Sequence, residues 1–246
     1  MYRVRKSWKD STSQLGAYLI LSNAKRMADR HPGYQVYDES GKQVWPVVKI
    51  YASAPDGKTV ALNGKQMRVW NQHKLVGKYK TMLDKHGCGV CCGAMAATLM
   101  GRSITPLQFA EKAVAQFGYK NTAISTAGIV TVMKKLKIPA VRYSVTKANL
   151  SRIRKKIDTA LKAGKPVICW TYPYDGKNLF AKGSHYVLAV GYTKEGKVLV
   201  ANSGSRGPLH QTSLDRLTAN LYHSCRGKDK GWYKHSPGSA GIVIVG

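Results

Sequence analysis

Cys88 stands where nucleophilic chemistry is easiest for a thiol. It lies between Gly87 and Gly89, and residues 90–100 carry small and apolar side chains that read as a helix. A helix N-terminus presents free N–H groups and the positive end of a dipole, and both favour thiolate over thiol. The expectation is an acidic, nucleophilic Cys88. Its flanking glycines are expected to let a substrate backbone approach closely. Backbone N–H groups at the same place can hold the oxyanion of a tetrahedral intermediate. Cys88 and Cys91 have the C-x-x-C spacing of a metal site, but a structural zinc wants a second ligand pair, and Cys169 and Cys225 are isolated. Neither a metal nor a cofactor is expected, and Cys91 and Cys92 read as small buried helix residues.

A nucleophilic thiol needs a base that is distant in sequence and near in space. Seven histidines compete. His31 stops a helix beside Pro32, and His73, His86, His210, His223 and His235 lie in polar or basic surroundings. His185 differs because it opens the apolar run Tyr186-Val-Leu-Ala-Val190 just after Gly183. A third member follows from hairpin geometry. Thr193-Lys-Glu-Gly196 suits a four-residue loop with Gly196 in the left-handed region. That loop places Tyr192 opposite Lys197 and His185 opposite Gly204, with Asn202 diagonal to His185 on the same face. Asn202 can then orient the imidazole.

The elements that must position these residues alternate between helix and strand. Helices are predicted over 90–100, from Thr105 onward, over 125–136 and over 150–161. Strands are predicted over 167–172, 186–192, 197–201 and 241–245. Thr105-Pro-Leu-Gln108 has the form of a capping box with Pro at the first helical position. The layout is α+β. Upstream, residues 1–47 read as a small β-α-β unit, with a strand at Tyr2, a helix over 11–29, and strands over 34–37 and 43–45. Residues 48–79 read as a linker or edge hairpin, with a turn at Ala54-Pro-Asp-Gly57 and strands over 59–62 and 66–70.

The strings Gly87-Cys-Gly89 through Met95, Ser184-His185-Tyr-Val-Leu188 and Val200-Ala-Asn202-Ser203 resemble, over residues 80–246, the papain-like cysteine peptidases that remove double-glycine leaders from bacteriocins, and their stand-alone relatives. The resemblance implies a helix bearing the cysteine packed on an antiparallel sheet bearing the histidine. It implies a Cys-His-Asn site of Cys88, His185 and Asn202. There are three departures from the family pattern: Ser184 replaces Gly, Asn202-Ser203 replaces Asp-Pro, and Met82 holds the place of the oxyanion glutamine. Gln72 is the nearest upstream glutamine and is the oxyanion candidate through a longer loop. In the N-terminal segment, Tyr2-Arg-Val-Arg-Lys-Ser-Trp8, Ser13-Gln-Leu-Gly-Ala-Tyr18, Asn23-Ala-Lys25 and Gly33-Tyr-Gln-Val-Tyr37 resemble a short module of clostridial and related Gram-positive cell-wall hydrolases.

Composition narrows the partners. The chain carries 40 basic and 12 acidic residues in 246, a net charge of +28 spread along its length. Such a field recruits polyanions, among them anionic wall polymers, acidic membranes and nucleic acid. Aromatics interleaved with basic residues on one surface would mark nucleic acid, and Trp8, Tyr172 and Tyr174 are the candidates. No apolar run is long enough to span a bilayer, and the longest N-terminal apolar stretch, Leu15–Leu21, has charged residues close around it and no clean small-residue cleavage site, so no signal peptide is expected. Five cysteines, three of them within five positions, make a poor disulfide framework and suit a reducing compartment. The expected function is a cysteine peptidase or amidase acting on peptidoglycan, like an endolysin or autolysin, made in the cytoplasm and acting at the wall. The alternatives are a maturation peptidase for a secreted peptide or bacteriocin leader, and an inactive relative that binds wall or nucleic acid.

Overall fold

A computed structural model describes residues 1–31, 33–45, 51–117, 124–172, 179–221 and 241–246. The chain divides into two units, Met1–Lys49 and Ile50–Gly246.

In the first unit, β1 (Tyr2–Arg5), β2 (Gly16–Tyr18), α1 (Leu21–Arg30), β3 (Gln35–Tyr37) and β4 (Gln43–Trp45) form an antiparallel sheet of order β2-β1-β3-β4 with one helix. Val4, Ala24, Ala28 and Val36 make its small core. The predicted helix over 11–29 is corrected here, because it begins only at Leu21. The Asp10 carboxylate accepts from the Ser13 N–H at 3.2 Å and closes a short 3-10 turn instead. Gly16 weakens a helix that would run through it, and Gly16–Tyr18 pairs with β1.

The second unit opens with a hairpin of β5 (Thr59–Leu62) and β6 (Lys65–Arg68). Asn63 and Gly64 both have positive φ, 51° and 70°, the two-residue turn that Asn-Gly favours. Val60, Leu62 and Met67 enter the main core, so this hairpin belongs to the second unit rather than to a linker. Four helices follow: α2 (Lys80–His86), α3 (Cys88–Leu99), α4 (Pro106–Phe117) and α5 (Thr126–Lys135). The capping box forms as expected: Thr105 N–H donates to Gln108 Oε1 at 2.9 Å, and Gln108 N–H to Thr105 Oγ1 at 3.2 Å. The remaining elements are β7 (Ala140–Ser144), α6 (Leu150–Lys162), β8 (Val167–Thr171), β9 (His185–Tyr192), β10 (Val198–Asn202), β11 (Leu209–Thr212), α7 (Leu214–Ala219) and β12 (Gly241–Val245).

The six strands from β7 onward make one antiparallel sheet of order β11-β10-β9-β8-β12-β7. Alternation along β9 divides the core. Tyr186, Leu188 and Val190 pack with α3, whereas Val187 and Ala189 pack with α6 and α7 residues such as Ile157 and Leu217. The expected α+β arrangement, a cysteine-bearing helix on a histidine-bearing antiparallel sheet, is therefore the one that forms.

α3 is apolar on all sides, as a central helix must be. Two glycines let its neighbours come close. A Cβ on Gly93 would stand 2.3 Å from the Phe109 ring of α4, and one on Gly89 would stand 2.6 Å from Ile124 and 2.9 Å from the Tyr186 ring. The space beside Gly89 is thus filled by protein. This corrects its expected role as an approach for a substrate backbone.

Candidate active site

Cys88 is the first residue of α3, directly after Gly87, on which α2 ends. Its Sγ faces the backbone N–H groups of Tyr186, Gly89 and Cys88 itself. The Tyr186 contact brings the thiol to the start of β9, one residue from His185. The helix-terminal N–H groups favour the thiolate as expected, but burial outweighs them and pushes the Cys88 thiol up. The expectation of an acidic resting thiol is corrected accordingly. Cys91 and Cys92 lie deeper in the helix, and burial raises both. Cys169, in β8, is pushed up to about 12 by the same cause. Cys225, His223, His235 and Tyr174 lie outside the described residues. Those described hold no group of three or more His, Cys, Asp or Glu side chains placed to share a metal ion.

His185 opens β9 opposite Thr171 of β8, and the Thr171 hydroxyl donates to the His185 carbonyl at 2.8 Å. Asn202 ends β10, paired with Val187. The loop that joins β9 and β10 takes the predicted form, with Gly196 at φ 74° and its N–H donating to the Thr193 carbonyl at 3.0 Å. The register beside the loop is offset by one from expectation, since Tyr192 pairs with Val198 rather than Lys197. A bulge that leaves Val190 unpaired then removes the offset, because Gly191 pairs with Leu199 and Ala189 with Val200. Asn202 is left diagonal to His185, where the simple register had put it.

Backbone groups decide which way the Asn202 carboxamide points. The Gly204 N–H can only donate, and it meets Oδ1 at 2.9 Å. The Phe180 carbonyl can only accept, and it meets Nδ2 at 3.0 Å. His185 Nε2 lies 2.8 Å from Oδ1, so it carries the proton. The neutral ring therefore keeps Nδ1 as its basic atom. No hydrogen bond joins that ring to Cys88 in this resting geometry. Burial lowers the His185 pKa, and the bond to Asn202 opposes that shift. Both shifts favour the uncharged forms, the Cys88 thiol and the His185 imidazole.

Gln72 lies in a 3-10 turn ahead of α2 and is buried. Its N–H donates to the Ser203 carbonyl at 2.9 Å, its Oε1 accepts from Ser203 Oγ at 3.4 Å, and its Nε2 donates to the Asp84 carbonyl at 2.9 Å. It thus bridges the residue after Asn202 and the last turn of α2, one helical turn before Cys88. Met82 is buried in the core. His210 is a neighbour that sequence reasoning passed over: its Nε2 lies 3.3 Å from Asn202 Nδ2. The signal was its place in the alternating run Leu209-His-Gln-Thr212, which pairs His210 with Val200 on β10.

A family model described as the Peptidase_C39 like family matches residues 65–224. No curated protein matches the chain. Among solved structures the chain is similar to the peptidase domain of Streptococcus ComA, described as a bi-functional ABC transporter involved in a quorum-sensing pathway. Identity is 15%, with 66% of this chain and 92% of that one covered and a TM-score of 0.41. A C39-like peptidase from Bacillus anthracis is 14% identical over 72% of this chain and 94% of that one, with a TM-score of 0.42. UfSP from C. elegans is 15% identical over 78% of this chain and 34% of that one, with a TM-score of 0.36.

Proposed function

Because the chain belongs to the Peptidase_C39 like family and is therefore a cysteine peptidase of papain-like fold, we propose that Cys88, His185 and Asn202 carry its reaction and that its substrate is a peptide or amide bond of bacterial peptidoglycan. The observation that carries the catalytic part is the fixed Asn202 carboxamide, which leaves His185 Nδ1 as the free base at the sheet end where α3 begins.

The chemistry follows from a neutral pair. His185 Nδ1 takes the Cys88 proton as Sγ attacks the carbonyl, and the imidazolium is stabilised by the Asn202 oxygen. Backbone N–H groups at the start of α3 receive the oxyanion. Gln72 Nε2 has a second hydrogen beyond the one given to Asp84, and we assign that hydrogen to the same oxyanion. The imidazolium then protonates the leaving amine, the C–N bond breaks, and a thioester remains on Cys88. Water, deprotonated by His185, attacks the thioester and releases the acid and the thiol.

Two features support the wall as target. The net charge of +28 suits a polymer of anionic groups. The separate first unit, with its resemblance to wall-hydrolase modules, carries cations over half-buried aromatics: Arg5 lies 5.2 Å from the Trp8 ring centre, and Lys25 lies 4.7 Å from that of Trp45. The enzyme would act at the bacterial wall after synthesis in the cytoplasm, as an endolysin or autolysin does. The test adds the full chain, Cys88→Ala and a 50–246 truncation to permeabilised Gram-positive cells, with release of new amino groups and loss of turbidity as readouts. Wild type should cut, Cys88→Ala should not, and the truncation should lose wall binding before it loses cleavage of a soluble wall peptide. Cleavage of a double-glycine leader peptide with intact walls untouched would replace the wall by a maturation substrate.

A further inference from the structure

His185 and His210 lie on opposite sides of one carboxamide. Asn202 Oδ1 accepts from His185 Nε2 and the Gly204 N–H, and Nδ2 donates to the Phe180 carbonyl at 3.0 Å. Its second amide hydrogen points to His210 Nε2 at 3.3 Å. All four hydrogen-bonding positions of the carboxamide are thereby filled. The backbone groups that fix its orientation also fix both rings: a ring nitrogen on the oxygen side must be protonated, and one on the nitrogen side must not be. His210 therefore accepts through a bare Nε2 and keeps its proton on Nδ1. Backbone hydrogen bonding at Gly207 and Arg206 also reaches this ring and favours its protonated form, against burial.

We propose that His210 is a positioning residue of the catalytic site, holding the Asn202 carboxamide in the orientation that presents its oxygen to His185, and that it does so only while unprotonated. A protonated His210 would offer N–H to N–H across the 3.3 Å contact, and Asn202 would lose one of its two anchors on the nitrogen side. The remaining surroundings keep the ring neutral. Phe180 stands edge-on to it, with ring centres 5.4 Å apart and planes at 90°. Desolvation, first, and the Arg206 charge, last, lower its pKa against the backbone bonds. Among the described residues, Asn202 faces it from β10, Phe180 from the segment before β9, and Arg206 and Gly207 from the preceding loop. Arg206 is the charged group acting on it.

The inference rests on reading Cys88, His185 and Asn202 as the reacting set, so its test separates the two. Two-bond 1H–15N spectra of the full-length protein report the tautomer of each histidine without any substrate. His210 should carry its proton on Nδ1 and His185 on Nε2, and the Asn202 side-chain amide resonance should move along the His210 titration curve. In parallel, the rate of Cys88 alkylation by iodoacetamide is followed against pH in wild type, His210→Ala and His210→Gln. His210→Ala should shift the Asn202 amide resonance and slow peptide cleavage about ten-fold through kcat with KM little changed, as the loss of one buried hydrogen bond would. His210→Gln, whose carboxamide oxygen is a non-titrating acceptor, should recover most of that loss. It should also remove one proton from the acid limb of the alkylation profile. A proton on His210 Nε2, or an Asn202 resonance that ignores the His210 titration, overturns the proposal even if His210→Ala fails to fold. So does a His210→Gln acid limb identical to wild type. Failure of Cys88→Ala to abolish cleavage would instead overturn the catalytic reading while leaving the tautomer result intact.

Discussion

Replacing Asn202 by Asp looks mild from the sequence, because an oxygen still faces His185. The structure makes it a damaging change. The second carboxylate oxygen would sit where Nδ2 now lies, 3.0 Å from the Phe180 carbonyl and 3.3 Å from His210 Nε2. Both partners are acceptors, and Asn202 is only 1% exposed, so water cannot intervene. Exchanging the Asn202 donor for an acceptor against the Phe180 carbonyl costs roughly 1–3 kcal/mol. For a chain of this length that is a fall in Tm of about 2–12 °C. Part of the loss returns when His210 takes a proton and donates to the new carboxylate, so the His210 pKa rises in the variant. A raised folded pKa contributes stability below the unfolded value and loses it as pH rises through the folded one. The gap between wild type and Asn202→Asp should thus be widest near about pH 8 and narrow toward about pH 5. Asn202→Ala orphans partners on both sides and should lose more, roughly 2–5 kcal/mol, at every pH. Thermal melts of the three proteins across that range test the reasoning. An Asn202→Asp variant as stable as wild type at the alkaline end, or a gap that does not change with pH, would refute it.

Wild-type stability should itself fall in acid. His185 and His210 both have folded pKa values lowered chiefly by burial. Their contribution is therefore complete above the unfolded value of about 6.5 and is lost as pH falls through the folded values. A Tm that rises between about pH 7 and about pH 5.5 on acidification would contradict this. Gly93→Ala places a methyl 2.3 Å from the Phe109 ring. Overpacking there should cost about 1–3 kcal/mol in a urea titration, and no loss would mean that α4 shifts freely. Gln72→Ala should lower kcat about 10²–10³-fold if its spare amide hydrogen meets the oxyanion. Gln72→Glu, which lacks that donor, should fare no better, and equal kcat in all three would remove Gln72 from the chemistry.

Local signals carried much of the frame. The Thr105 capping box, the continuous small and apolar run of α3, the apolar periodicity of α5 and α6, and the Gly196 turn each act within a few residues of chain, and each formed. Loop length alone gives the right diagonal for Asn202 because two local features cancel, a one-residue offset at the loop and the bulge at Val190. Neither leaves a mark in residue type. Tertiary context decided the rest. The sequence over 11–29 predicts one helix, but pairing with β1 takes Gly16–Tyr18 into the sheet. α2 is short, and β7 sets Val141 outward at 52% exposure on a sheet edge, so neither shows a strong apolar pattern. The helix end alone predicts an acidic thiol, and burial outweighs it together with the Tyr186 N–H. His210 was set aside for its basic neighbours, although its meaning lies in a strand partner that only the fold supplies.

The most direct measurement of the central claim is peptide mapping of the native protein during inactivation by iodoacetamide. Cys88 is 7% exposed, whereas Cys91, Cys92 and Cys169 are fully enclosed. Label should appear on Cys88 before these three, and peptide-bond cleavage should fall in one-to-one proportion with Cys88 alkylated. Full cleavage by protein already alkylated at Cys88, or inactivation that tracks another cysteine, would contradict the account.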